Sequence, residues 1–251
     1  MRASARLVVE RGRGRSVVRD VRSQAPLTLV PRRTRTRTAD EPVVVHLVSS
    51  ATTPLGGDEV ELAVQVGPGA RLLLRGTAAT VALPGQREGS SRARVHVDVA
   101  EGGSVEYLPE PTVVTAGADH RAELSVALAA DAHARCREVL VLGRWGERAG
   151  RLVTSTSAVR CETPLLRQEI DLADPVLRHG SAGLAGARVL ATEFVAAEHD
   201  PPRAVSGPGW SLSPLAAGGS LASALAPDAV TAQHRLAAAL ARHPSGARTG
   251  R

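Results

Sequence analysis

Lysine, aromatic residues and cysteine are scarce in this chain of 251 residues, and each scarcity excludes a class of function. All 31 basic residues are arginines, so no lysine exists for a Walker A loop, a pyridoxal Schiff base or a Ser-x-x-Lys acylase. Aromatic residues make up 2% of the chain, too few for the base-stacking surfaces of nucleic-acid binders. Two cysteines, Cys136 and Cys161, are too few for a disulfide scaffold.

The net charge of +6 is concentrated at the N-terminus. Residues 1–39 carry 11 arginines against two acidic residues, so residues 40–251 together carry a net charge of −3. We interpret the basic strip as a sheet edge or a partner surface, because it lacks the aromatic residues of a nucleic-acid site. No apolar run approaches the roughly 20 residues that span a bilayer, and the first is too short for a signal peptide. We therefore expect a cytoplasmic chain with neither a membrane nor a nucleic acid as partner.

Apolar and polar residues alternate through much of the chain, which predicts β-strands that are buried on one face. The pattern is clearest in VELAVQV (60–66), ARVHVDV (93–99) and AELSVAL (122–128). These three strands end 33 and 29 residues apart and each precedes a turn, which favours a coiled, β-helix-like stack. Further strands are predicted at Leu7–Glu10, Val43–Val48, Arg71–Arg75, Ser104–Leu108, Glu138–Leu142, Leu152–Val159, Leu165–Ile170 and Ala187–Val195.

We expect one mainly β domain of stacked strands with a C-terminal helix. Residues 1–200 form its β-rich body, and residues 201–251 hold a loop rich in proline and glycine, the helix and a disordered tail. The helix is predicted within 226–244, where an alanine-rich stretch follows an aspartate and stops at a proline. The glycines at 67, 69 and 85 mark strand-ending turns, because strand-like sequence rather than a helix follows them.

No group of side chains predicts an active site from spacing alone. His96 and Asp98 share a strand face and could bind a metal, but a solvated polar face is the better interpretation. The run 198–200 (Glu-His-Asp) offers acid and imidazole groups, yet it precedes two prolines and favours a surface loop. Glu106 and Glu110 could serve as the acid–base pair of a β-helical polysaccharide lyase or hydrolase.

Three motifs, in this order, resemble the UreD family of urease accessory proteins, called UreH in some organisms. The first is Gly56-Gly57-Asp58, followed by a strand, a Gly-Ala turn and the segment GTAAT at 76–80. The second is VEYLPEPT at 105–112, and the third is EVLVLGR at 138–144 with Glu147 and Gly150 downstream. The resemblance covers roughly residues 5–195.

This resemblance implies a chaperone for nickel insertion rather than an enzyme. Members of the family are β-rich, helically wound scaffolds that hold a UreF-type helical partner, which recruits a UreG-type GTPase, and the assembly docks on apo-urease. The family is thought to pass nickel to urease through an internal passage. The resemblance therefore implies transient nickel(II) and no tightly bound cofactor.

The resemblance also suggests roles for individual residues. Asp58 is the first candidate on the nickel route, followed by Glu106 and Glu110, because carboxylate oxygens hold such an ion weakly enough to release it. Partner-binding or structural roles fall to Gly56, Gly57, Thr77, Thr80, Tyr107, Arg144 and Glu147. A β-rich interaction module without a metal role is the remaining alternative, and it would lack an acid-lined passage.

Overall fold

The computed structural model describes residues 1–32, 40–86 and 89–245, which form eighteen strands and two helices. The strands are β1 (Arg2–Gly12), β2 (Arg15–Arg22), β3 (Leu27–Pro31), β4 (Val43–Ser49), β5 (Glu59–Val66), β6 (Arg71–Gly76), β7 (Thr80–Ala82), β8 (Ser91–Val99), β9 (Ser104–Leu108), β10 (Thr112–Val114), β11 (Asp119–Leu128), β12 (His133–Leu142), β13 (Arg151–Arg160), β14 (Thr163–Asp171), β15 (Val189–Ala196), β16 (Val205–Gly207), β17 (Trp210–Pro214) and β18 (Ser220–Ala226). The helices are α1 (Pro175–His179) and α2 (Ala229–Leu240). All eleven strands predicted from the sequence are confirmed, with ends that differ by a few residues.

Strands of successive coils lie parallel in two sheets. The first sheet has the order β14-β13-β11-β8-β5-β1-β2, and its central strands from β13 to β1 are parallel. The second sheet has the order β16-β17-β18-β15-β12-β9-β6-β4-β3, and its strands β12, β9, β6 and β4 are parallel. Val66 pairs with Val99 and Val99 pairs with Leu128, so the predicted coils of 33 and 29 residues are confirmed.

A short third stack of parallel strands joins the second sheet. Strand β10 pairs with β7 on one side and with the end of β12 on the other. Strand β12 is paired with β9 through Cys136 and with β10 from Leu140 onward. Residues 137–139 of β12 therefore lie opposite the chain bend at Pro109–Pro111, and this bend shapes the interior described below.

The two sheets face each other across an aliphatic core. Inward side chains such as Leu62 and Val97 from the first sheet pack in one cluster with Leu72 and Val105 from the second. Each buried aliphatic side chain of this kind stabilises the fold by roughly 1.5–3 kcal/mol. Valine, leucine and alanine supply most of this core, as the low aromatic content predicts.

The predicted C-terminal helix is confirmed as α2. Asp228 caps its first turn by accepting a hydrogen bond from the backbone nitrogen of Thr231 at 2.8 Å. Leu236 and Leu240 of the helix pack in one cluster with Val139 of the second sheet. The helix therefore covers the outer face of that sheet, the face opposite the aliphatic core.

In the C-terminal third, one sequence interpretation is wrong and one helix was missed. The segment rich in proline and glycine is not a connecting loop, because it contains β16 and β17 and leads into β18. Its glycines occupy the turns, where Gly209 has φ +73° and Gly218 and Gly219 have φ +99° and +82°. Helix α1 was also not predicted, because five residues are too few to show helical periodicity. The predicted disordered tail lies outside the described residues from 246 onward.

The arginine-rich N-terminal strip supplies strands to sheet edges, as one interpretation predicted. Strand β2 ends the first sheet and β3 ends the second. The charged side chains of β2 discourage pairing of its free edge with other chains. Residues 33–39 of the strip lie outside the described residues. Within the described ranges, no helix has the length and apolar character needed to cross a membrane.

Candidate functional site

A cavity of about 170 Å³ lies inside the coil, between the two sheets. His120 lines it from the first sheet, and Tyr107 and Glu138 line it from the second. Glu110 contributes from the bend between β9 and β10. Glu123, Arg94 and Arg137 also line it; Arg94 pairs with Glu123 at 3.3 Å, and Arg137 donates to the carbonyl oxygen of Pro109. The cavity thus brings three carboxyl groups, two guanidinium groups, an imidazole and a phenol into an otherwise mostly apolar interior.

Glu138 is placed in the interior by strand alternation in β12. It is in phase with Ala134 and Cys136, whose side chains belong to the core between the sheets. Both of its carboxyl oxygens lie near the hydroxyl of Thr154, at 2.9 and 2.8 Å. Burial raises the pKa of the Glu138 carboxyl to about 7, although the Thr154 hydrogen bond acts in the opposite direction. Near neutral pH this carboxyl therefore exchanges a proton readily.

His120 begins the inward face of β11 and is 2% exposed. Its Nδ1 lies 2.9 Å from the hydroxyl of Ser91, which itself donates to the carbonyl oxygen of Asp119 at 3.2 Å. Both contacts are satisfied together when the Ser91 hydroxyl donates to the carbonyl and accepts from the Nδ1–H of His120, a tautomer that leaves the lone pair on Nε2. Burial lowers the pKa of His120 to about 4, so the ring is neutral at neutral pH.

Glu110 and Tyr107 meet the cavity where the chain bends after β9. A Cβ at Gly76 would lie 2.6 Å from the backbone nitrogen of Glu110, so only glycine allows this close approach of the two coils. Burial raises the pKa of Tyr107, which keeps its hydroxyl protonated. Thr80 and Thr112, paired in the third stack, line the same cavity.

Asp58 lies on a turn beside the cavity rather than among the residues that line it. It is 5% exposed, and its carboxylate accepts from the Leu55 backbone nitrogen at 2.9 Å, the Thr53 hydroxyl at 3.1 Å and the Met1 amino group at 2.6 Å. Burial alone would raise the pKa of Asp58, but these hydrogen bonds and the ammonium charge lower it overall. Thr53 and Pro54 line the cavity, so Asp58 holds a turn that contributes to the wall.

Glu106 lies on the opposite face of the second sheet from the cavity. Its carboxylate is 3.0 Å from a guanidinium nitrogen of Arg135, which also pairs with Glu193 at 2.7 Å. Glu193 is 1% exposed, and burial raises its pKa although Arg135 acts in the opposite direction. Glu106 and Glu110, four residues apart in sequence, are thus separated by the sheet.

The remaining sequence candidates occupy turns. Arg144 and Glu147 form a bidentate ion pair, in which two guanidinium nitrogens lie 3.0 and 3.2 Å from the two carboxylate oxygens. These hydrogen bonds lower the pKa of Glu147 to about 2. Gly57 has φ +80°, and the backbone of Gly56 packs directly against Gly85. The exposed Thr77 hydroxyl lies 3.4 Å from the carbonyl oxygen of Leu47.

Glu138 and His120 were missed as candidates, although the sequence carries a signal for each. Glu138 is a charged residue at an inward position of an alternating strand. His120 lies two residues before Ala122, the first apolar residue of AELSVAL, so it belongs to the same strand face. Neither signal identifies the partner across the cavity, because the two residues come from different sheets.

The comparison with protein families decides the identity of the chain. The family described as UreD urease accessory protein matches residues 1–249. The chain belongs to the UreD family. It is 60% identical over 245 residues to urease accessory protein UreD 1 of Saccharopolyspora erythraea, which covers 97% of this chain and 96% of that protein.

More distant relatives carry the same family name. The chain is 41% identical over 280 residues to urease accessory protein UreD of Frankia alni, covering 95% of this chain and 92% of that protein. It is 38% identical over 250 residues to the UreD protein of Streptomyces coelicolor, with 96% of each covered. A UreD-family chain is an accessory protein, so the polysaccharide lyase or hydrolase interpretation is set aside. Among the residues that the structure describes, no three His, Cys, Asp or Glu side chains group to hold a metal ion.

Proposed function

We propose that this UreD-family chain is a urease maturation chaperone. In this proposal it holds a UreF-type accessory protein and a UreG-type GTPase on apo-urease, and nickel(II) passes through its central cavity as cargo. The observation that carries the proposal is the cavity inside the coil, with Glu110, Glu138 and His120 on its wall. Membership of a family of urease accessory proteins supports the link to urease.

The chemistry of the wall suits a transient passage. Nickel(II) is a borderline ion that accepts both imidazole nitrogen and carboxylate oxygen. His120 is neutral at neutral pH and can offer Nε2 without first losing a proton. Glu138, whose pKa is about 7, would exchange its proton for the ion, so entry would become more favourable as pH rises through 7.

The coil itself suits a scaffold. Its strands pair with those of the coils before and after, so the outer faces are held rigidly by backbone hydrogen bonds. A rigid surface loses little conformational entropy when a partner binds. Asp58 supports this arrangement by holding the turn of Thr53 and Pro54 at the cavity wall.

The proposal is tested by co-expressing the tagged chain with UreF-type, UreG-type and urease subunits. Two readouts are needed, namely the retention of each partner and the nickel content per urease active site. Glu138→Gln preserves side-chain volume and an acceptor for Thr154 while removing the carboxylate. Glu106→Gln makes the same chemical change on the opposite face of the sheet and is the matched control. Asp58→Ala tests the prediction that this carboxylate belongs to the nickel route.

We expect Glu138→Gln to retain all partners while the nickel content falls severalfold, and Glu106→Gln to leave it near the wild-type level. A loss of urease nickel with Glu106→Gln alone would indicate that the nickel route follows the outer face of the second sheet. Partner retention with unchanged nickel in both variants and in Asp58→Ala would favour an interaction module without a metal role. No retention of any partner by the wild type would refute the scaffold.

A further inference from the structure

Trp145 is the most exposed large apolar side chain among the described residues, at 94%. It lies on the turn between β12 and β13, in the segment Gly143–Arg151 that we call the Trp145 turn. A fully hydrated indole is unfavourable in a monomer, and single exposed side chains are common enough to need a second argument. That argument comes from how the turn is held and from the charges around it.

The Trp145 turn is rigid. Arg144 and Glu147 close it with their bidentate ion pair, and the Glu147 carboxylate also accepts from the backbone nitrogen of Arg144 at 3.0 Å. Gly143 has φ +80°, and a Cβ there would lie 2.7 Å from the carbonyl oxygen of Glu147. Arg188 donates to the carbonyl oxygens of Gly143 and Arg144 from outside the turn. An aromatic side chain on a pre-organised backbone loses little conformational entropy on binding, which is typical of interface anchors.

The turn is also attached to the wall of the cavity. The backbone nitrogen of Gly143 donates to the carbonyl oxygen of Val114 at 2.9 Å. Val114 ends β10, and Thr112 at the start of that strand lines the cavity. A partner bound at Trp145 would therefore lie next to β10, the strand of the third stack whose first residue lines the cavity.

The surroundings of Trp145 are basic. Segments 143–151 and 171–188 contain five arginines against three acidic residues, whereas residues 40–251 as a whole carry a net charge of −3. The carboxylates here are engaged locally, since Glu147 pairs with Arg144, Asp171 lies 3.5 Å from Arg151, and Asp174 caps α1. Arg148 is exposed beside them. Because these pairs also engage Arg144 and Arg151, the excess of two positive charges rests on the other arginines, and it makes the surface around the indole complementary to carboxylates on a partner.

The two segments form one surface. Ala149 of the turn and Leu177 of α1 pack against the same apolar cluster, and Arg178 donates to the carbonyl oxygen of Gly150 at 3.1 Å. Val176, 78% exposed on α1, adds apolar area to this end of the molecule. An apolar anchor bordered by guanidinium groups matches the residue types that dominate protein–protein hot spots.

We propose that the Trp145 turn docks an acidic protein of the urease maturation assembly, with the indole inserted into an apolar pocket bordered by carboxylates. This inference rests on the proposed scaffold function and adds to it the contact that anchors one partner. The partner is a different protein, because the neighbourhood of the turn carries an excess of arginine and would repel a second copy of itself.

The test measures dissociation constants between the purified chain and UreF-type protein, UreG-type GTPase and apo-urease, each alone and in the mixed complex. We expect Trp145→Ala to weaken binding of one of them by at least about 30-fold with an unchanged thermal midpoint, because the side chain is exposed. Arg148→Glu should slow association with the same protein, most strongly at low salt. Val230→Ala, which removes another exposed apolar side chain from α2, is the matched control and should bind as the wild type does.

Each result decides the inference. If the wild type binds its partners and Trp145→Ala binds them equally well, the docking inference is wrong while the scaffold function stands. If the wild type binds none of the three proteins, both are wrong. Self-association of the wild type that Trp145→Ala abolishes, measured by light scattering, would assign the turn to a second copy and overturn the inference.

Discussion

Replacing Glu138 by glutamine should stabilise the protein at alkaline pH and change little at acidic pH. The pKa of this carboxyl is about 7 in the folded chain, against 4.5 for an ordinary glutamate, chiefly because it is buried. A difference of this size corresponds to about 3 kcal/mol, at about 1.36 kcal/mol per pH unit. Glutamine fills the same volume and still accepts a hydrogen bond from Thr154.

The sign follows from proton binding. Because its folded pKa is raised, Glu138 binds a proton more tightly in the folded chain than in the unfolded one. Below the unfolded pKa both states are protonated and the carboxyl carries no penalty. As pH rises from 4.5 to 7 the stability is lost progressively, and above 7 the loss is complete at about 3 kcal/mol.

Urea unfolding, followed by far-UV circular dichroism, measures this effect at pH 5 and at pH 8. We expect the free energy of unfolding of Glu138→Gln to exceed that of the wild type by about 3 kcal/mol at pH 8 and by less than about 1 kcal/mol at pH 5. Glu198→Gln makes the same change in an exposed loop and should have no effect at either pH. A stability difference that is equal at both pH values, or a less stable variant at pH 8, would refute the reasoning.

Two further substitutions test a buried ion pair and a close backbone contact of the fold, and the effect of both on the free energy of unfolding is measured with urea at pH 7. Arg135→Met should lower the free energy of unfolding by about 3–5 kcal/mol, because it leaves the carboxylate of Glu193 buried without the guanidinium 2.7 Å away. The double variant with Glu193→Gln should recover most of that loss, and failure to recover would show that Arg135 acts by packing alone. Gly150→Ala should cost about 3 kcal/mol, because its Cβ would lie 2.3 Å from one backbone carbonyl oxygen and 2.4 Å from another. Gly14→Ala, in open space at φ +74°, should cost about 1 kcal/mol, and equal effects would refute the steric argument.

Sequence motifs and family comparison agree on the family, and the structure places the candidate residues at different positions around the cavity. The GGD turn lies beside the cavity, and Glu110 and Tyr107 line it. Glu106 instead pairs with Arg135 under the C-terminal part of the chain. That Asp58 belongs to the nickel route stays a prediction, which the nickel content obtained with Asp58→Ala tests. The nickel content obtained with Glu106→Gln tests the same prediction for Glu106, whose place on the outer face of the sheet leads us to expect no change.

Alternation and spacing determined the strands and the stack from sequence alone. A period of two residues assigns side chains to the faces of a strand, and coils of 33 and 29 residues assign strands to neighbouring positions. These are local properties, so VELAVQV, ARVHVDV and AELSVAL reveal them without any knowledge of the fold. The same local reasoning identified α2, whose cap and alanine content do not depend on distant residues.

Only the tertiary structure decided which faces enclose the cavity. His120 and Glu138 come from different sheets, and nothing in the seventeen residues between them indicates that both line one cavity. Glu106 and Glu110 are separated by a bend at two prolines that carries one of them across the sheet. Alternation states that a side chain points to one face or the other, but which face is interior depends on how the coils close. That closure is set by contacts between residues far apart in sequence, which no local pattern records.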